Sequence, residues 1–460
     1  MARRARSRSQ ESHGADHTDG TEVPQVLAQP SFAQPVPTPD PTQFIVRHPS
    51  DSAAYRTIDE LDREHRLYSL PFPPPRDLPE PRLTLEAALG DTGPAAIKAI
   101  EANGQIVFHA IGDTGNTRGP TSQNEVADKL LYDFDDSDPK EIPQFFFHLG
   151  DVIYNFGEDR YYYDQFYDPY RGYPAPIFAL AGNHDGMVAP NDDTPSLAAF
   201  LRNFCAEGFE RLPESGGLLR TAQIQPGVFY TFEAPFVRVL ALYSGTLEDP
   251  GVIAEDRIGS SQLEYLRAAL TRVHAENYAG ALILAHHHPA YTAGAKHGWS
   301  MELTAQVDAA CAETGVWPHA VLSAHAHNYQ RFTRTRGDTQ VPYIVAGNGG
   351  HGLARLSRRN EAPPRAPAII QEAASGMDQI VLENYDDQDY GYLRVIADER
   401  QLRIEYHPAS DGSLAKTPDD FVTVDLASRK LVHFAGASGP AGFIPPAPHS
   451  QPRARGRRPR

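Results

Sequence analysis

The chain has 460 residues, 40% of them hydrophobic, enough for one large core or two ordinary ones. Its 59 acidic and 42 basic side chains give a net charge of -17, which repels nucleic acid and anionic membrane, so no nucleic-acid-binding surface is expected. Cys205 and Cys311 lie far apart and outside any Cys-x-x-Cys pattern; this argues against a disulfide framework or zinc knuckle and suggests two buried free thiols.

Residues 1–80 are rich in Pro, Ser, Gln, Asp and Arg and read as a disordered tail, with one short helix near 57–67. Arg3 and Arg4 are not followed by an apolar stretch, so no secretory leader is read. No window reaches the length of a membrane span, and a soluble, cytoplasmic protein is the expectation. The folded domain is expected over 81–437. It opens with a helical pattern over 83–102, stopped by Gly104.

Apolar runs at 106–111, 145–149, 177–180, 237–242, 281–285, 320–322 and 343–345 predict buried strands, with helices over 261–274 and 301–313 between them. A hairpin is expected from 392–396 and 402–406, and a further strand at 421–424. Alternating strands and helices imply a layered α/β domain. The last segment, 438–460, carries Arg453, Arg455, Arg457, Arg458 and Arg460 and reads as a disordered basic tail.

Five of the apolar runs end abruptly in Asp113, Asp151, Asn183, His287 and His325. Ligand sites in open α/β sheets form outside the carboxyl ends of strands, so these positions suggest one shared site. Gly112-Asp113-Thr114-Gly115 and Gly150-Asp151 could each be ordinary turns. More specific is Gly182-Asn183-His184-Asp185, because an amide, an imidazole and a carboxylate at a strand end have no evident packing role. Further on, Ala285-His286-His287-His288-Pro289 and His325-Ala326-His327-Asn328 each follow an apolar run, and imidazoles two residues apart in a loop can turn toward one metal pair.

In order and spacing these segments resemble the calcineurin-like metallophosphoesterases. Asp113-Thr114-Gly115 in place of Asp-x-His, with Tyr154 three residues after Asp151, is similar to the purple acid phosphatase branch. The resemblance covers roughly 104–350 and implies a layered αββα sandwich. It also implies one metal held by Asp113, Asp151, Tyr154 and His327, and a second held by Asp151, Asn183, His287 and His325, with Asp151 shared. The His-x-Pro pattern favours His287 over its runner-up His286. His184 and His297 resemble the histidines that contact substrate, each able to bind phosphate oxygen or to protonate the leaving group. Ala324 stands where the family usually has glycine.

The residue types suit that chemistry. A shared carboxylate offsets the repulsion of two close cations. A phenol yields its proton only to a strongly polarising ion, so Fe(III) is expected beside Tyr154, and the neutral set Asn183, His287 and His325 suits divalent iron, zinc or manganese. Such a pair would activate a water to a metal-bound hydroxide for in-line attack on a phosphate ester. Phosphomonoester hydrolysis is the leading expectation. A phosphodiesterase or nucleotide hydrolase of the same fold is the alternative, decided by loops 186–227 and 245–260, and a non-catalytic scaffold is the remaining one. Gly347-Asn348-Gly349-Gly350 follows a strand and could approach phosphate, but reads first as a turn at the rim; Tyr161, Tyr162 and Tyr163 could wall the pocket, but read first as a packed aromatic helix face.

Overall fold

Ile106, Val107, Phe108, Ala110 and Ile111 form an unbroken buried run, the pattern of a strand covered on both faces. The same holds for 281–285, and such strands set the architecture. The computed structural model describes residues 73–432, except 117–118, 155, 189–193, 247–250, 359–361, 363, 374–376 and 411–416. The expected helix at 57–67 and the segment 438–460 lie outside the described residues.

In chain order, β1 (Arg82–Thr84) leads through a helical turn (Leu85–Ala88) and a 3-10 turn (Gly90–Thr92) to α1 (Gly93–Asn103). Next come β2 (Gln105–Ile111), α2 (Thr121–Tyr132), β3 (Phe146–His148), β4 (Ile177–Ala179), α3 (Asn183–Gly186) and α4 (Ala198–Phe204). The centre holds β5 (Tyr230–Ala234), β6 (Val237–Leu242), α5 (Ser261–Ala275), β7 (Ala281–His286), α6 (Met301–Thr314) and β8 (Ala320–Ser323). Strands then predominate: β9 (Tyr329–Arg336), β10 (Thr339–Ala346), β11 (Ala368–Gln371), β12 (Gln379–Asp386), β13 (Gly391–Asp398), β14 (Gln401–Pro408), β15 (Asp420–Asp425) and β16 (Lys430–Leu431).

Among the described residues these strands make two sheets, ordered β1-β5-β6-β7-β8-β10-β9-β12-β11 and β16-β15-β14-β13-β2-β3-β4. Parallel pairing runs through β6, β7, β8 and β10 in the first and through β2, β3 and β4 in the second. Phe145, Phe147 and Phe178 of the second sheet meet Phe232 of the first, with ring centroids 4.9, 6.1 and 4.5 Å apart. Both inner faces therefore share one core. Helices α5 and α6 pack together on the first sheet, and α1 and α2 lie against the second. The expected αββα layering is what the chain adopts.

The single helix expected over 83–102 is broken. Arg82–Thr84 pairs in parallel with residues 231–233 of β5, which takes Leu83 into the core, and Thr84 Oγ1 then accepts from Ala87 N at 3.1 Å to start a fresh turn. Upstream, Arg76 donates to the carbonyls of Cys205, Ala206, Ile224 and Gln225, and Glu80 pairs with Arg272 at 2.7 Å. Cys311 is buried as expected, whereas Cys205 is half-buried at the end of α4. No helix among the described residues is long and apolar enough to cross a membrane.

Candidate metal centre

The carboxyl ends of five parallel strands converge where the two sheets meet. Asp113 follows β2, Asp151 and Tyr154 follow β3, and Asn183 opens α3 after β4; across the seam, His287 follows β7, and His325 and His327 follow β8. All seven are buried. Asp113, Asp151, His325 and His327 have φ of 54°, 53°, 65° and 49°, a left-handed conformation unusual for side-chain-bearing residues and concentrated at functional sites.

On one side, Tyr154 Oη donates to Asp113 Oδ1 at 2.8 Å and lies 3.2 Å from His327 Nε2, which is itself 3.5 Å from Asp113 Oδ1. On the other side, His287 Nε2 is 3.2 Å from Asp151 Oδ2 and 3.8 Å from Asp113 Oδ1. The ligand atoms of Asp151, His287 and His325 all lie within 4.8 Å of one another. Backbone N–H groups orient both carboxylates: His325 N donates to Asp113 Oδ2 at 2.6 Å and His184 N to Asp151 Oδ1 at 2.9 Å.

The tautomers can be read from the partners. His287 Nδ1 meets the Leu149 carbonyl at 2.9 Å and His327 Nδ1 the Gly352 carbonyl at 3.1 Å; a carbonyl only accepts, so in each ring Nδ1 carries the proton and Nε2 points into the site. Asp151 Oδ2 and His287 Nε2 are buried, face one another and have no hydrogen bond of good geometry. Ligand atoms aimed at a common point in this way fit a cation between them. His286 does not take part in this convergence: it belongs to β7 and donates through Nδ1 to the His288 carbonyl at 2.6 Å.

Burying two carboxylates, a phenol and several imidazoles together shifts their protonation. Burial and the nearby Asp151 raise the Asp113 carboxyl to about 8 against the opposing pull of His287. Burial disfavours the charge on His287, yet Asp151 and Asp113 outweigh it and push the imidazole up to about 10. Burial and the same two carboxylates hold the Tyr154 phenol well above its usual range. His325 and His327 are held neutral by burial and by neighbouring imidazoles. A cation bound by these groups would compete with their protons.

Two histidines border the cluster. The His297 ring lies 4.1 Å from His325 and 5.6 Å from His327, and His184 lies 4.4 Å from the Tyr154 ring. Sequence reasoning missed His351, which stacks on Tyr154 at 3.7 Å and 11° and donates through Nδ1 to the Gly115 carbonyl at 2.9 Å. It also misplaced 347–350, which lies beneath Asp113 rather than at the rim. A Cβ on Gly347 would clash with Asp113 Oδ2 and stand 2.9 Å from His327 N, so only glycine fits. Its place directly after a strand and before a histidine was the available signal.

Residues 106–329, the stretch that holds all seven candidate ligands together with His184 and His297, match the calcineurin-like phosphoesterase family. The chain carries a calcineurin-like phosphoesterase domain. It is a metallophosphoesterase, a hydrolase of phosphoesters with metal-binding residues at its centre. No curated protein matches the chain. Among solved structures it is similar to GAP50, the anchor in the inner membrane complex of Plasmodium, at 14% identity and a TM-score of 0.44, over 67% of this chain and 86% of that one. It is also similar to PhoD, at 13% identity and a TM-score of 0.42, over 71% of each chain. A putative 5'-nucleotidase from Staphylococcus aureus shares 15% identity at a TM-score of 0.35, over 71% of this phosphoesterase and 57% of that chain.

Proposed function

We propose that this phosphoesterase hydrolyses phosphate monoesters at a two-metal centre of the purple acid phosphatase type, within a catalytic domain spanning 81–437. The observation that carries the reading is Tyr154: its hydroxyl lies 2.8 Å from Asp113 Oδ1 and 3.2 Å from His327 Nε2, so a phenol, a carboxylate and an imidazole address one point. Asp113, Tyr154 and His327 would hold one ion, Asn183, His287 and His325 the other, and Asp151 both. The phenol, held well above its usual range, surrenders its proton only to a strongly polarising ion, which favours Fe(III) there and a divalent iron, zinc or manganese ion in the neutral half. Such a pair supplies Lewis acidity at the phosphoryl group and lowers the pKa of water.

The chain's own residues do the rest. Asp113 and Asp151 set the charge of the pocket, and the backbone N–H groups of His325 and His184 fix their orientation. His184, beside Tyr154, is placed to bind a phosphoryl oxygen. His297, over His325 and His327, is placed to donate a proton to the departing alkoxide.

Metal analysis and a visible spectrum of the purified protein, with a panel of monoesters and diesters, test this together. The oxidised protein should show a broad phenolate charge-transfer band that Tyr154→Phe removes, the ring remaining stacked on His351. A band that survives Tyr154→Phe would refute the assignment. Faster turnover of diesters than of monoesters would favour the phosphodiesterase alternative.

A further inference from the structure

Among the described residues no strand pairs with the loop that presents Tyr154, and the backbone bonds from Asp113 N and Thr114 N end at Gly150 and Asp151, leaving 152–154 to be fixed otherwise. Side chains take that role. Asp185 accepts from Val152 N at 3.1 Å, Ile153 N at 3.3 Å and Gly182 N at 2.8 Å. One residue further, Tyr154 N donates to Gln165 Oε1 at 2.8 Å, while Gln165 Nε2 donates to Tyr154 O at 2.7 Å. The side-chain amide thus imitates a neighbouring strand, satisfying both backbone groups of the one residue whose hydroxyl must meet Asp113 and His327.

The surroundings of Gln165 are arranged for this contact. It is 2% exposed and sits in a single π-helical turn (Tyr163–Tyr167), a form that appears mostly as isolated turns at functional sites. Phe166 and Tyr167 of that turn are buried, with Phe166 packed 5.1 Å from Phe204, so the turn is fixed from behind. Gln165 O accepts from Gln123 Nε2 at 2.6 Å, and a Cβ on Gly115 would collide with Gln165 Oε1. An ordinary α-helical turn would carry one residue fewer per hydrogen-bonded ring and rotate Gln165 away from the loop.

We propose that Gln165 is a positioning residue of the metal centre: its amide clamps the backbone of Tyr154 and thereby fixes the reach of the phenol toward Asp113 and His327. The proposal rests on the reading of Tyr154 as a metal ligand. The Gln165 side-chain amide bonds the backbone of Tyr154 and none of the candidate ligand atoms, so its effect on the centre passes through Tyr154. Removing an outer group that orients a metal ligand weakens metal binding by about 10- to 100-fold.

The test is chelator titration of the metal-loaded full chain with metal analysis, alongside urea unfolding, for wild type, Gln165→Met, Gln165→Glu and Tyr154→Phe. Gln165→Met keeps the volume but neither hydrogen bond, and it should release metal at a roughly 10-fold lower chelator concentration while still unfolding cooperatively. Gln165→Glu keeps the acceptor for Tyr154 N but loses the donor to Tyr154 O, and should fall between Gln165→Met and wild type; if Gln165→Met does not fold, this variant decides. Turnover per bound metal should drop in both, with little change in KM. A folded variant with wild-type chelator resistance would overturn the proposal, because a purely structural role moves the urea midpoint alone. Wild-type resistance in Tyr154→Phe would instead overturn the ligand reading on which it rests.

Discussion

His319 offers a sharp test of how the fold responds to acid. The residue bridges the starts of β7 and β8: Leu282 N donates to its Nδ1 at 2.9 Å, so Nδ1 must be the unprotonated nitrogen, and Nε2 faces the Leu426 carbonyl at 3.3 Å and Arg429 at 3.2 Å. Burial, reinforced by the Arg429 charge, lowers its pKa to about 4. An unfolded chain takes up this proton near pH 6.5, so between 6.5 and about 4 the unfolded state binds more protons and acid favours unfolding. The penalty grows to about 2 kcal/mol at pH 5 and about 3 kcal/mol below pH 4, and it is absent above pH 7. Urea unfolding of wild type and His319→Asn from pH 8 to pH 4.5 measures it. Asparagine keeps an acceptor near the Nδ1 position for Leu282 N but cannot titrate, so the variant starts lower at pH 8 and the gap closes by about 2 kcal/mol at pH 5. Parallel stability curves would show that His319 does not stay neutral in the fold.

Two further substitutions probe the centre itself. His297→Ala should keep both metals and slow turnover by roughly 10²- to 10⁴-fold if its imidazole protonates the leaving group, with metal analysis and kcat as the two measurements; wild-type turnover would make it a bystander. Gly347→Ala sets a methyl against Asp113 Oδ2, and should cost about 1–3 kcal/mol in thermal unfolding together with a loss of bound metal. Unchanged melting and metal content would mean that the turn has room to yield.

The strands that deliver the candidate ligands were legible because they are buried on both faces and read as plain apolar runs, as at 106–111 and 281–286. Strand β9 was not. Its sequence, Tyr-Gln-Arg-Phe-Thr-Arg-Thr-Arg, is mostly polar, and Arg331 and Arg334 are accommodated only because Asp420, Asp308 and Asp378 arrive from distant segments to pair with them. Helix α2 was missed for a similar reason: its buried face includes Gln123, whose amide is satisfied by a carbonyl 42 residues on. The candidate ligands stood out as polar groups at strand ends. Gln165 gave no such signal, since one glutamine in the aromatic run 161–167 has meaning only once the π-turn aims it at Tyr154. Asp185 stood in a recognisable motif, but its work on Val152 and Ile153 is visible only in three dimensions.

Four of the candidate ligands come from the seven-stranded sheet and three from the nine-stranded one. Ions bound there would staple the sandwich shut, so occupancy and cohesion become one quantity. Each ion at a free concentration of a hundred times its Kd adds about 2.7 kcal/mol, and two such ions together rival the entire stability of many domains. Metal starvation would then leave the cell less of this protein, rather than an idle stock waiting to be reloaded.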